Sequence, residues 1–124
     1  MRSGSVSERS ERICRLSSVN ERQRVGLMLR HVAMIRFNDG VTDDEVRVID
    51  EGLAGLPAVI DEIRNYSFGR DLGFSDTNYD YAVVAEFDSR ADLDVYSDHP
   101  AHVKVLTTCI KPVLKDIKRI QFEI

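Results

Sequence analysis

Apolar residues recur along this chain in two periods, and each switch between them marks the end of an element. From Leu29 to Phe37 they alternate, with Leu29, His31, Ala33, Ile35 and Phe37 on one face and Val32 and Met34 on the other, which predicts a strand. Asn38-Asp39-Gly40 breaks it. Thr42-Asp43-Asp44-Glu45 then has the spacing of a capping box, in which the threonine hydroxyl and the glutamate each satisfy a free backbone N–H at a helix start. Val46, Ile49, Leu53 and Leu56 follow at helical spacing, so a helix should run to the region of Gly55 to Pro57. Ile63 to Arg70 predicts a second strand and Tyr79 to Phe87 a third, with a turn-rich loop from Leu72 to Asn78 between them. In the third strand Tyr79, Tyr81, Val83, Ala85 and Phe87 share one face. A short helix from Ser89 to Tyr96 precedes a longer one that opens on Pro100, where the missing N–H is not needed. The longer helix should bury Val103, Leu106, Ile110, Val113 and Ile117 or their near neighbours, and Pro112 should kink it. Ile117 to Ile124 closes the chain as a strand with Ile120, Phe122 and Ile124 aligned.

The order strand, helix, strand, strand, helix, strand predicts an α+β domain with the ferredoxin-like βαββαβ arrangement, helices on one face of an antiparallel sheet. The other face is left bare. Val32, Met34, Ala82 and Val84 point to it, where water would favour polar side chains. A second copy is therefore expected to cover it, giving a homodimer with the sheets packed together about a twofold axis.

Composition changes at residue 28. Residues 1–27 are rich in Ser, Arg and Glu, with isolated apolar residues whose burial would gain little, and are expected to form a disordered tail. The composition shift at Met28 raises two readings: translation naturally begins there, or the tail is a genuine extension. The folded domain is then residues 28–124. The tail holds six arginines against three glutamates, so the net charge of −4 becomes −7 for the remainder, which argues against a nucleic-acid surface. No stretch approaches the length of a membrane span, and no secretory signal core is present. Cys14 and Cys109 lie in unrelated contexts that suggest neither a disulfide framework nor a metal knuckle, which fits a reducing cytoplasm.

The candidate chemistry is concentrated in the histidines. All three, His31, His99 and His102, lie in two segments. His31 is on the strand face that the helices would cover. Pro100 disfavours helical geometry at His99, making it the N-cap and placing His102 in the first turn, on the side of Leu106, Cys109 and Val113. Both His31 and His102 are thus positioned to meet one pocket, with Tyr79, Tyr81 and Tyr96 as candidate phenolic neighbours. The positive end of a helix dipole discourages protonation of a nearby imidazole, leaving a neutral group able to accept a proton. With a tyrosine to hold a carbonyl or enolate oxygen, such a site suits aldol-type or isomerisation chemistry with no cofactor or metal. The structural alternatives are a cap at His99, hydrogen-bonded core-edge imidazoles at His31 and His102, and core aromatics at the tyrosines. Zinc is disfavoured because no cysteine or carboxylate is placed to join the histidines. No Gly-rich phosphate loop and no serine nucleophile elbow is present.

The stretch Leu29-Arg-His-Val-Ala-Met-Ile-Arg-Phe37, the turn Asn38 to Val41, the strand ending Glu86-Phe87-Asp88, and Tyr96-Ser-Asp-His-Pro-Ala-His102 together resemble the stress-responsive dimeric α/β-barrel (Dabb) domain. The resemblance runs from about Met28 to Ile124. It implies a ferredoxin-like protomer that dimerises into a barrel. Family members include plant stress proteins and a plant polyketide cyclase, and the resemblance implies catalytic roles at His31 and His102 and a pocket-lining role at Tyr96. A pocket histidine of the cyclase falls where this chain has Tyr81. Two functions follow as expectations: a dimer binding a small apolar or aromatic carbonyl compound, with cyclase, isomerase or lyase-type chemistry, or a non-enzymatic stress or assembly protein whose histidines are structural. A haem-degrading or oxygen-using enzyme is a third reading by fold analogy alone.

Overall fold

The computed structural model describes residues 27–124. The reading of residues 1–27 as a tail therefore falls, apart from residue 27, outside them. Strand β1 (Leu29–Phe37) leads into helix α1 (Asp43–Ala54) and the single turn α2 (Leu56–Val59), then β2 (Asn65–Arg70) and β3 (Tyr81–Phe87). Helices α3 (Arg90–Asp98) and α4 (Pro100–Val105) follow, and β4 (Leu114–Glu123) ends the chain. The sheet has the order β2-β3-β1-β4 with every neighbouring pair antiparallel, which is the ferredoxin-like arrangement.

The capping box forms as its spacing implies. The Thr42 hydroxyl accepts from the Glu45 N–H at 3.2 Å, and the Glu45 carboxylate accepts from the Thr42 N–H at 2.9 Å. Helix α1 then buries Val46, Ile49 and Leu53 against the sheet, each contributing roughly 1.5–3 kcal/mol of apolar burial. On the sheet they meet Ile35, Val83, Ala85 and Phe87.

The long helix expected after Pro100 is broken up. Pro112 has no N–H to bond the Thr108 carbonyl, and its ring would collide with that group. The chain responds by widening into a π-type turn over Leu106–Ile110, closed by the Lys111 N–H on the Leu106 carbonyl, and then tightening over Lys111–Val113. The Thr107 and Thr108 hydroxyls bond back to the Val103 and Lys104 carbonyls at 2.7 Å, which favours the bend. Strand β4 consequently starts at Leu114, and Ile117 belongs to the sheet rather than to the helix. Val103 is exposed, and Val105 takes the buried place, because the inward stripe runs through Val105, Cys109 and Ile110, a turn position away from Val103. Cys109 is half-buried and unpaired.

Pairing fixes which side chains share a face. Val84 of β3, Val32 of β1 and Ile120 of β4 form one row across the sheet, and Ala82, Met34 and Lys118 form the next. These rows lie on the side without helices, where Met34, Ile120 and Phe122 are exposed. The aligned Ile120, Phe122 and Ile124 are therefore not a core face. The alternate set on β4, Ile117, Arg119 and Gln121, pairs with Ile35, Ala33 and His31 beneath the helices.

Candidate functional site

Between the helices and the β1–β4 side of the sheet lies a cavity of about 630 Å³. Its walls are mainly aliphatic, among them Leu29, Ala33, Leu53, Leu93 and Ile110, and its polar groups include His31, Tyr96, His102, Arg119 and Gln121. The sequence-derived candidates divide at this point. His31, Tyr96 and His102 line the cavity together; Tyr79, Tyr81 and His99 do not.

His31 comes from the middle of β1 and is 8% exposed. The Gln121 side-chain amide donates to its Nδ1 at 2.9 Å, so its proton sits on Nε2, which is left as a donor. His102 stands in the first turn of α4, in the place Pro100 and the His99 cap dictate. Its Nδ1–H donates to the Ser97 carbonyl at 3.1 Å, a group left over at the end of α3, and the lone pair of Nε2 is left as an acceptor. The ring of Tyr96 neighbours both imidazoles, with its centroid 4.1 Å from that of His102 and 6.3 Å from that of His31. Its hydroxyl is 2.8 Å from that of Tyr66, so Tyr96 contributes a ring wall while its polar end is already paired. The neighbouring imidazoles therefore carry complementary capacities, one N–H donor and one nitrogen base.

The other three candidates have different work. The His99 Nδ1 accepts the Ala101 N–H at 3.1 Å, so this imidazole caps α4. Tyr79 precedes β3 rather than belonging to it, because the Asp80 carboxylate accepts the Phe37 N–H and turns the chain there. Its hydroxyl bonds Asp116 and its ring carries the Arg36 guanidinium 4.4 Å above it. Tyr81 is buried on the core face, as its alternation implies, but its hydroxyl is committed to Asp50 on α1. Both tyrosines border a second groove, under the β2–β3 loop, in place of the cavity that holds the imidazoles. Among the described residues no group of three or more His, Cys, Asp or Glu side chains is arranged to hold a metal ion, and no helix is long and apolar enough to cross a membrane.

Over residues 29–124 the sequence matches the Stress responsive A/B Barrel Domain family. The chain belongs to this family. Among A/B barrel relatives, the stress-response A/B barrel domain-containing protein HS1 of Arabidopsis thaliana is 28% identical over 81 residues, 64% of this chain and 74% of that one. A dimeric ferredoxin-like protein of unknown function from Thermobifida fusca is 44% identical with a TM-score of 0.73, over 80% of this chain and 92% of that one. The hydroxynitrile lyase of Passiflora edulis shares the A/B barrel fold, with 19% identity and a TM-score of 0.69 over 78% of this chain and 93% of that one.

Arg119 and Gln121 are cavity residues of this A/B barrel protein that sequence reasoning passed over. The signal was present: Ile117, Arg119 and Gln121 follow one another at two-residue spacing, and β4 needed only its pairing with β1 to place that set under the helices. The charge of Arg119 also acts on both imidazoles. His31 is held below its ordinary value of 6.5 chiefly by burial, then by Arg119 and His102. His102 is lowered chiefly by burial; its bond to the Ser97 carbonyl works the other way, and Arg119 and His99 add to the lowering. Both rings are neutral at neutral pH. As pH falls through 6.5 the unfolded chain gains protons that the folded chain does not, so stability must fall, and the loss is complete only below the folded values. Asp43, Glu86 and Asp116 are also lowered by their partners, but their loss comes later, as pH falls through the ordinary carboxylate range. Urea unfolding at fixed protein concentration should therefore show stability declining between about pH 7 and about pH 5, by at most about 1.4 kcal/mol per pH unit for each imidazole. A flat or rising profile in that interval would show that the rings are not held neutral.

Proposed function

We propose that this A/B barrel protein is a homodimer whose cavity binds a small apolar or aromatic carbonyl compound and moves a proton on it, with His102 as base and His31 as hydrogen-bond donor. The reading is carried by the tautomers: the Ser97 carbonyl leaves His102 Nε2 free to accept, and Gln121 leaves His31 Nε2–H free to donate. A carbon-bound proton beside the carbonyl would pass to His102 Nε2. The electron pair left behind would move onto the carbonyl oxygen, where His31 Nε2–H would stabilise the enolate. Return of the proton to another atom gives isomerisation, and attack of the enolate carbon on a second carbonyl gives ring closure. The aliphatic walls support an apolar or aromatic body for the ligand. The bare apolar sheet face and the dimeric relatives support the homodimer.

One observation favours the alternative of a non-enzymatic assembly protein. The His102 bond to the Ser97 carbonyl joins the end of α3 to the start of α4 across the break at His99, which is by itself a structural task. Naphthaldehyde, a flat aromatic carbonyl compound, separates the two. On the proposed reading its titration into the dimer shifts the NMR resonances of His31 and His102; on the alternative neither ring responds.

A further inference from the structure

The charges around the cavity do not balance. Asp94 is the one carboxylate among the lining residues, and it lies 3.4 Å from Arg90 four positions earlier on α3. Arg119 is left over. Its guanidinium has no hydrogen bond or ion pair with any other described residue, although most arginines in this domain, such as Arg30 on Glu86, Arg64 on Asp88 and Arg70 on Asp43, are matched to a carboxylate. It stands on β4 next to Gln121 in sequence alternation, opposite Ala33, on the face the cavity opens from. A planar, permanently charged fork at the entrance to an aliphatic cavity is suited to one class of group above others, a carboxylate held by paired N–H donors.

We infer that Arg119 anchors an acidic group of the ligand, so that the compound bound in this cavity is an apolar or aromatic carboxylate carrying its reactive carbonyl deeper, toward His31 and His102. This rests on the reading of the cavity as a ligand site and adds the ligand's charge to it. The arrangement has a functional consequence. An anion at the mouth offsets the guanidinium charge, which otherwise acts against proton uptake by both imidazoles, so ligand binding would make His102 a better base than it is in the empty cavity.

Naphthoate and naphthamide have the same ring and nearly the same shape, and differ in charge. Affinities of both are measured by NMR titration of the unmodified protein and of Arg119→Gln, an exposed position where the change is not expected to disturb folding. Naphthoate should bind about tenfold more tightly than naphthamide, and Arg119→Gln should remove that preference while leaving naphthamide unchanged. Equal binding of the two compounds to the unmodified protein, or a preference for naphthoate that survives Arg119→Gln, would overturn the inference and leave the cavity as a site for neutral ligands. Failure of both compounds to bind the unmodified protein would overturn it together with the ligand-site reading.

Discussion

Val32→Lys should convert the protein from a dimer to a monomer. Val32 lies at the centre of the open sheet face, between Val84 on β3 and Ile120 on β4, with Met34 and Phe122 nearby on the same side. A pair of such faces packed together would bury these side chains, and a twofold interface places the new lysine in it twice. Burying an unpaired ammonium costs several kcal/mol, so association should weaken by at least about a hundredfold. Light scattering after size exclusion should give twice 14.1 kDa for the unmodified protein and 14.1 kDa for the variant. An unmodified protein already at the lower mass would remove the pairing account, and a variant that remains at the higher mass would move the interface elsewhere.

Tyr96→Ala should be the most damaging single truncation in the site. The ring is 3% exposed and packs against Phe87 at 5.1 Å, His102 at 4.1 Å and Tyr66 at 6.0 Å between centroids. Removing it opens a void beside the cavity and strips the Tyr66 hydroxyl of its partner. Losses of about 3–5 kcal/mol are expected for an aromatic deletion of this kind. Tyr96→Phe keeps the ring and loses one hydrogen bond, so it should cost about 1–2 kcal/mol. Urea unfolding at equal protein concentration compares the two. If alanine costs no more than phenylalanine, the ring is not the wall that holds the imidazoles in place.

How far the sequence could be read depended on whether each cue was local. The alternation of β1 and the capping box before α1 are set by neighbouring residues, and both elements appear where their patterns put them. The His99-Pro100 pair is equally local, and it fixes His102 in the first turn of α4. Pro112 announced a disruption, but its form, a widened turn that releases Ile117 to the sheet, depends on what the following strand pairs with. The same limitation governs β4. Alternation there separates Ile120 and Phe122 from Ile117, Arg119 and Gln121, yet only the register with β1 tells that the first set faces outward and the second faces the cavity. For Tyr79 and Tyr81 alternation gives a face but not a hydroxyl's partner. Asp116 and Asp50, distant in sequence, decide where those phenols are spent.

The central claim is that His31 and His102 look into one ligand cavity while His99 serves the helix. The imidazole resonances of the protein, followed during titration with naphthaldehyde, test it most directly. Saturable shifts at His31 and His102 with His99 unmoved are the predicted result. Unmoved His31 and His102 resonances, or a response confined to His99, would contradict it.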